Sequence, residues 1–159
     1  MIYVLHREQQ LYCDRETAWR FFSDPGNLPD ITPDDMGFTI ISEPQSEMFE
    51  GMLIDYKVSP LLGIKLHWQT EITQVNEGHS FTDFQKKGPY AIWNHFHEFI
   101  PNEKGVLARD TVQYKLPFGI LGRWMHHLVV KRKLNRIFDY RQQILEDRFN
   151  KKSSKNTAL

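Results

Sequence analysis

The chain has 159 residues, 40% of them hydrophobic, which fits one compact domain with a sizeable core. Its 20 Lys and Arg residues balance 20 Asp and Glu residues, so no whole-protein field attracts nucleic acid or an anionic membrane. The single cysteine, Cys13, excludes a disulfide framework and fits a reducing compartment. The sequence contains no long apolar run, so neither a signal peptide nor a membrane-spanning helix is predicted. We therefore expect a soluble, cytoplasmic protein with no nucleic-acid partner and no stable membrane insertion.

The charge is unevenly distributed along the chain. Residues 123–159 carry ten Lys or Arg and three acids, a net charge of +7, so residues 1–122 carry −7. The basic segment is expected to dock on the acidic body of the protein. The alternative is an interaction module, in which the basic run Lys131–Lys133 and the apolar turn at Trp124 and Met125 contact a protein partner or a second copy.

The first half of the chain predicts a strand, short helical segments and then more strands. Residues 2–12 alternate in polarity, as a half-exposed strand does. Asp14 is placed to cap a short helix that ends at Asp24-Pro25-Gly26, and residues 27–33, with two prolines, predict a second short helix or an irregular turn. Turn signals separate six further strands. Their predicted ranges are 38–43, 52–58, 64–75, 80–86, 91–100 and 106–116, and their short connections favour antiparallel pairing.

A helix of close to thirty residues is predicted from Leu121 to about Asn150. Its apolar stripe changes face near Val129 and Val130, so either the helix kinks or its first turns cover a different surface. The first face, expected to guard one end of the fold, comprises Leu121, Trp124, Met125 and Leu128. The second face is expected to close a cavity with Ile137, Phe138, Arg141 and Leu145. Residues 151–159 predict a polar, disordered tail, which leaves residues 1–150 as the domain.

This order of elements, together with several sequence runs, resembles the START-like/SRPBCC superfamily, which includes the birch-pollen-allergen-like proteins. The nearest resemblance is to small bacterial members labelled cell-division-inhibitor-like, a label that no residue here supports. The matching runs include Trp19–Pro25, Phe81–Asp83, Gly88–Tyr90, Trp93–Phe99 and Pro117–Gly119. The resemblance implies an α+β helix-grip fold, in which a curved antiparallel sheet of about seven strands wraps around a long C-terminal helix, with two short helices after the first strand.

The run Trp93-x-His95-x-His97-x-Phe99 places four side chains on one face of a strand. If the following turn centres on Glu103 and Lys104, the next strand brings Asp110 opposite His97. A slip of one residue would send Asp110 to the other face, so this contact depends on register.

The inner face of the sheet is expected to combine aromatic walls with a few polar groups, as a small-molecule pocket does. The predicted ligand-binding residues are Trp68, Thr70, Phe81, Asp83, Gln85, Trp93, His95, His97, Phe99, Asp110, Val112, Tyr114, Phe138 and Arg141. The competing interpretation is a self-satisfied network, with His97 bonded to Asp110 and His95 to Asp83 or Gln85.

Two chemical alternatives use the same residues. His95, His97 and Asp110 offer three ligands for zinc or iron, but no fourth ligand is evident, so no metal and no cofactor are predicted. His126 and His127 point about 100° apart on a helix and are interpreted as surface or mouth residues. An enzyme would use His97 as a base oriented by Asp110, with Tyr114 or His95 as an acid, for cyclisation, dehydration or ester hydrolysis. No nucleophile stands out.

The sequence favours binding of a small hydrophobic molecule such as a lipid, a quinone or a polyketide-like aromatic compound. The predicted site lies between the sheet and the C-terminal helix. The choice between carrier and enzyme stays open, with the balance toward a carrier.

Overall fold

The computed structural model describes residues 1–43, 47–59 and 64–151, and they contain a seven-stranded antiparallel sheet and a long C-terminal helix. Residues 152–159 of the predicted tail lie outside the described residues. The strands are β1 (Tyr3–Leu11), β2 (Thr39–Ile40), β3 (Leu53–Val58), β4 (Leu66–Asn76), β5 (Ser80–Lys87), β6 (Ile92–Asn102) and β7 (Gly105–Lys115). The predicted α+β helix-grip architecture is confirmed.

The sheet is ordered β1-β7-β6-β5-β4-β3-β2. Strands β2 to β7 pair with their neighbours in the chain, and β1 joins the sheet beside β7. The β4–β5 ladder has register shifts between Gln69 and Thr70 and between Ile72 and Gln74. Such irregularities bend a strand and increase its twist, so they lie where a sheet curves around a helix.

The segment after β1 begins with one capped helix, α1 (Arg15–Phe22). The Asp14 carboxylate accepts a hydrogen bond of 2.7 Å from the backbone N–H of Thr17, so the predicted cap is confirmed. Two single 3₁₀ turns follow, at Pro25–Asn27 and Asp34–Met36. Of the two structures predicted for residues 27–33, the irregular turn is therefore present and the second short α-helix is not, as expected for a segment with two prolines.

Strand β2 is shorter than the sequence indicates. It pairs only through Thr39 and Ile40, because the N–H groups of Ile41 and Ser42 both point to the same carbonyl, that of Asp55 on β3. Two donors on one acceptor disrupt the ladder, as in a bulge, and end the edge strand.

The C-terminal helix contains two π-helical turns. It consists of α2 (Gly119–Met125), a π-helical turn (His126–Val130), α3 (Lys131–Leu145) and a second π-helical turn (Glu146–Asn150). A π turn adds a residue relative to α-helical winding and rotates the next part of the helix about its axis. The first π turn therefore explains why the apolar stripe changes face near Val129 and Val130. No helix among the described residues is long and apolar enough to cross a membrane.

Two clusters of buried side chains form the core. One, under α1, joins residues such as Phe21, Ile72 and Phe99 to the end of the long helix at Phe149. The other joins Trp68, Trp93 and Val112 to Leu134 and Phe138 of α3. The two clusters leave a cavity between the sheet and the helix.

Ion pairs connect the basic helix to the acidic body. Arg136 pairs with Asp35, and Arg148 lies 3.8 Å from Asp30. Both pairs are exposed, so each contributes about 0–1 kcal/mol to stability. Their arrangement agrees with the expectation that the +7 segment docks on the −7 body.

Candidate functional site

A cavity of about 380 Å³ lies between the inner face of the sheet and α3. The loop after α1 lines it with Leu28, Ile31 and Met36, and β3 lines it with Ile54, Tyr56 and Val58. Strands β4 to β6 contribute Trp68, Ile72, Phe81 and Trp93, and the helix contributes Val130, Leu134 and Ile137. The lining is predominantly apolar and aromatic, and the volume falls within the roughly 300–1,000 Å³ of small-molecule sites.

Polar groups in the wall of the cavity are few. Thr70 accepts a hydrogen bond of 3.1 Å from the indole N–H of Trp68, and its hydroxyl lies 3.0 Å from that of Tyr56. Burial raises the pKa of Tyr56, against the opposing effect of the hydrogen bond with Thr70, so its phenol is neutral at physiological pH. The segment after α1 contributes Asp24, Asn27 and Thr32, and α3 contributes Lys133 and Arg141. On the sheet, Asp83, His95 and His97 line the cavity and belong to a cluster of histidines and carboxylates that Asp110 of β7 completes.

The register of the sheet brings two carboxylates to opposite sides of a histidine pair. On β6, His95 and His97 lie two residues apart and face inward. Asp83 of β5 lies opposite His95, and Asp110 of β7 lies opposite His97. The predicted β6–β7 register is confirmed, since Trp93 also lies opposite Tyr114.

The closest contacts in this cluster run along the diagonals of the sheet. His95 Nε2 donates to Asp110 Oδ1 over 3.0 Å, and His97 Nε2 donates to Asp83 Oδ2 over 3.0 Å. The second nitrogen of each ring faces the other carboxylate: His95 Nδ1 lies 3.4 Å from Asp83 Oδ2, and His97 Nδ1 lies 2.7 Å from Asp110 Oδ1. The 2.7 Å contact is not aligned as a hydrogen bond. Each imidazole thus stands between two acids.

The environment separates the pKa values of the two histidines. Burial and the neighbouring charge of His97 lower the pKa of His95. Burial also acts to lower the pKa of His97, but the charge and close contact of Asp110, together with the hydrogen bond to Asp83, raise it above its ordinary value. These opposite shifts favour a neutral His95 and a positively charged His97 between the two carboxylates.

The two acids are held in their ionised form against the cost of burial. Burial acts to raise the pKa of Asp110, but the charge and close contact of His97, together with the hydrogen bond from His95, hold it well below its usual range. The pKa of Asp83 is likewise lowered: burial opposes this, while the charge of His95 and the bond from His97 favour the carboxylate.

Arg141 of α3 lies beside this cluster. Its Nη1 lies 3.8 Å from Asp110 Oδ2, too far for a hydrogen bond, and its guanidinium carbon lies 5.0 Å from the centre of the Phe138 ring. Its Nε and Nη1 are buried without a hydrogen-bond partner. Arg141 lines both the large cavity and a small one of about 20 Å³ that it shares with Asp110 and Arg7.

The structure divides the fourteen predicted site residues into two groups. Eight of them line the large cavity: Trp68, Thr70, Phe81, Asp83, Trp93, His95, His97 and Arg141. The other six do not occur among the described residues that line this cavity. Phe99 and Val112 are core residues, and Asp110 and Phe138 line the small cavity. Gln85 donates to the carbonyl of Tyr90 over 2.7 Å and accepts from its N–H over 3.2 Å.

Tyr114, the sixth residue outside the cavity, belongs to a different polar pair. Its hydroxyl lies 2.9 Å from Nε2 of His126, whose ring stacks on Tyr3 with centroids 3.5 Å apart. Tyr114 is four residues from Asp110 on β7, or about 13 Å along a strand. Tyr114, as a candidate acid, therefore does not converge with His97 and Asp110. The interpretation of His126 as a surface or mouth residue is wrong, because its ring is buried against Tyr3 and Tyr114, whereas His127 is exposed.

The residues expected to guard one end of the fold lie at the surface. Leu121, Trp124, Met125 and Leu128 expose 64%, 67%, 36% and 62% of their area, and none of them lines the described cavity. Their use by a protein partner or a second copy, together with Lys131–Lys133, stays a prediction.

The sequence analysis missed the contribution of β3 and of the loop after α1. Ile54, Tyr56 and Val58 alternate at period two, a signal that marks one face of a strand. Leu28, Ile31 and Met36 carry no such periodic signal, because they lie in irregular turns. Leu145, expected to close the cavity, is instead a core residue beside Phe149.

Comparisons with known proteins bear on the fold. No protein-family model matches the chain, and no curated protein matches it in sequence. Solved structures do match. TTHA0849 from Thermus thermophilus has a TM-score of 0.69 at 18% identity, over 92% of this chain and 96% of that one. The shared architecture is the helix-grip fold.

Two plant proteins have the same helix-grip architecture. Ginseng major latex-like protein 151 from Panax ginseng has a TM-score of 0.66 at 13% identity, over 93% of this chain and 97% of that one. A Thalictrum norcoclaurine synthase point mutant in complex with a transition state analogue has a TM-score of 0.64 at 16% identity, over 93% and 96%. The fold implied by the resemblance to the START-like/SRPBCC superfamily is thereby confirmed, and at these identities the likeness concerns the fold.

Proposed function

We propose that the protein binds a small, predominantly apolar molecule in the cavity between the sheet and α3. The observation that carries this proposal is the cavity itself, about 380 Å³ in volume and lined by aromatic and aliphatic side chains from the sheet, the loop after α1 and the helix. Burial of an apolar ligand against such walls contributes about 25 cal/mol per Å² of area removed from water.

The polar cluster supports a ligand with one polar end. Asp83, His95, His97 and Arg141 face the same cavity, whereas Trp68, Ile72 and Leu134 form apolar wall. A few convergent polar groups in an apolar pocket fix the orientation of a ligand. A lipid, a quinone and a polyketide-like aromatic compound share this division into an apolar body and an oxygen-bearing end.

The experiment measures binding of N-phenyl-1-naphthylamine, a neutral fluorescent aromatic probe, to the purified protein. We expect saturable binding of one equivalent. Ile137→Trp, which adds bulk inside the cavity, should weaken binding at least about tenfold, whereas Leu128→Trp, on the exposed face of the same helix, should leave it unchanged. Leu66→Trp enters the cavity from β4 and serves as a second filling variant if Ile137→Trp does not fold.

Two results would contradict the proposal. One is the absence of saturable binding by the wild-type protein. The other is loss of binding in Leu128→Trp with normal binding in the two filling variants, since that would locate the probe on the exposed helix face.

A further inference from the structure

We propose that Asp83, His95 and His97 bind one divalent first-row transition-metal ion at the wall of the cavity. Each of the three residues offers one ligand atom, and the three atoms lie within 4.8 Å of one another. Two imidazoles and one carboxylate form a ligand set typical of zinc and non-haem iron sites.

The Asp83 carboxylate lies at a suitable distance from both imidazoles to share one ion with them. Asp83 Oδ2 lies 3.4 Å from His95 Nδ1 and 3.0 Å from His97 Nε2. Ligand atoms bound to one ion at about 2.0–2.2 Å stand roughly 3.0–3.5 Å apart. The ion takes the place of the proton that His97 shares with Asp83, and the β5–β6 ladder holds all three side chains at neighbouring positions of the sheet.

Asp110 can accept hydrogen bonds from the ring nitrogens that do not bind the ion. Its Oδ1 lies 3.0 Å from His95 Nε2 and 2.7 Å from His97 Nδ1, the two nitrogens that face away from Asp83. His95 already donates from Nε2 to Asp110, and a small rotation of the His97 ring would align its Nδ1–H with the same carboxylate. With both protons on this side, the nitrogens beside Asp83 carry lone pairs. Histidines that bind metals commonly donate their other N–H to a carboxylate, which fixes the ring and its tautomer. Asp110 is a positioning residue in this arrangement.

The surroundings leave part of the coordination sphere facing the cavity. Asp83, His95 and His97 all line it, whereas Asp110 lies behind them on the small cavity. Arg141 forms its ion pair in the described cluster with Asp110. Its positive charge therefore offsets the negative charge of the carboxylate that lies behind the histidines. Three protein ligands with an open side are the pattern of sites that accept an exogenous oxygen ligand, rather than of closed structural sites.

The first experiment tests for the ion with no organic ligand present, so its outcome is independent of the proposed function. The protein is stripped with EDTA, dialysed and titrated with Zn²⁺ by calorimetry and with Co²⁺ by visible absorption. We expect one equivalent of each ion to bind. His95→Gln and Asp83→Asn should each weaken binding by about 100-fold or more, and Asp110→Asn by about 10–100-fold.

The matched control is His67→Gln. His67 lies 2.5 Å from Asp55, so it is also a histidine beside a carboxylate, but it is exposed and lies outside the described cavity lining. This variant should bind Zn²⁺ as the wild type does. Loss of binding in His67→Gln with normal binding in His95→Gln would place the ion on the surface and overturn the proposal.

A measurement on the wild-type protein covers the case in which a cluster variant fails to fold. Long-range ¹⁵N correlation spectra of the histidine rings report each ring nitrogen separately. Addition of Zn²⁺ should shift His95 Nδ1 and His97 Nε2, the nitrogens that face Asp83. Unchanged resonances of both rings at saturating Zn²⁺, or the absence of stoichiometric binding, would show that the cluster is a closed histidine–carboxylate network.

Discussion

Asp110 lies directly opposite His97 across the β6–β7 ladder, yet its aligned hydrogen bond, 3.0 Å long, joins it to His95, the diagonal neighbour. The same relation holds on the other side of β6, where Asp83 lies opposite His95 and bonds to His97 over 3.0 Å. Side chains directly opposite stand about 5 Å apart at Cβ and diagonal neighbours about 7–8 Å apart, so long polar side chains reach the diagonal position in good geometry. Each carboxylate consequently contacts both histidines.

The first prediction concerns the energetic weight of Asp110. Its removal in Asp110→Ala leaves His97 and Arg141 without the carboxylate that balances them in a buried setting. We expect the free energy of unfolding to fall by about 3–5 kcal/mol. Urea denaturation in EDTA at pH 7 measures this change.

The control for this prediction is Asp139→Ala. Asp139 pairs with Arg7 over 3.4 Å, but its side chain is 66% exposed. We expect its removal to cost less than about 1 kcal/mol, because water screens exposed pairs. Equal losses in the two variants would show that the Asp110 cluster is no more tightly coupled than a surface pair.

Sequence reasoning reached the cluster because its determinants are local. Period-two spacing places His95 and His97 on one face, and a short turn at residues 102–105 sets the register that brings Asp110 across from His97. The partner of each ring was harder to predict. The sequence pairs His97 with Asp110, whereas the aligned hydrogen bond of His97 goes to Asp83, a choice that depends on rotamers.

The long helix shows the opposite case. The change of apolar face at Val129 and Val130 is visible in the sequence, and the π turn at His126–Val130 is its physical cause. The buried position of His126 was not predicted, because the apolar residues Trp124 and Met125 indicated a different buried face from the one that carries Gly122, His126 and Val130. Residues in the irregular loop after α1 reach the cavity without any periodic signal.

The second prediction separates cavity residues from core residues among the aromatic side chains. Phe99 is 2% exposed and packs against Trp19 and Phe22, with ring centroids 6.0 and 5.1 Å apart, outside the described cavity lining. Phe99→Leu should lower the free energy of unfolding by about 1–2 kcal/mol and leave the affinity for N-phenyl-1-naphthylamine within about twofold.

Trp68→Leu is the comparison for Phe99→Leu. Trp68 is 8% exposed, so it is similarly buried, but it lines the cavity. This variant should weaken probe binding by about fivefold or more, since it removes part of the aromatic wall. A binding defect in Phe99→Leu that matches the defect in Trp68→Leu would mean that the probe occupies the core under α1.

The third prediction tests the close approach that fixes the β6–β7 hairpin. Gly105 has a φ of +130°, and a Cβ atom at this position would lie 2.4 Å from the carbonyl oxygen of Leu11 and 2.8 Å from that of Cys13. Both contacts are with backbone atoms, which cannot move without shifting β1. Gly105→Ala should therefore lower the free energy of unfolding by about 3 kcal/mol or more.

Gly51→Ala separates backbone strain from this collision. Gly51 has a φ of +87°, and its added Cβ would meet no atom within 4 Å. We expect a loss of about 1 kcal/mol, from the left-handed backbone alone. If thermal denaturation gave the same loss for both variants, the contact between Gly105 and the end of β1 would not constrain the hairpin.

The last prediction concerns pH. Burial, and then the positive charges of His127 and Lys131, lower the pKa of His126 in the folded protein, while the uncharged rings of Tyr3 and Tyr114 pack against it. In the unfolded chain the ring titrates near its ordinary value of about 6.5. The unfolded state therefore binds more protons between the two pKa values, so the stability contributed by neutral His126 is present above about pH 6.5 and is lost as the pH falls.

The measurement compares the free energy of unfolding at pH 7.5 and 5.5 for the wild type and His126→Phe. The phenyl ring keeps an aromatic surface against Tyr3 and cannot titrate, so the variant should lose less stability on acidification than the wild type. Since other histidines titrate equally in both proteins, the difference between the two slopes isolates His126. A slope in His126→Phe as steep as that of the wild type would mean that the ring titrates alike in the folded and unfolded states.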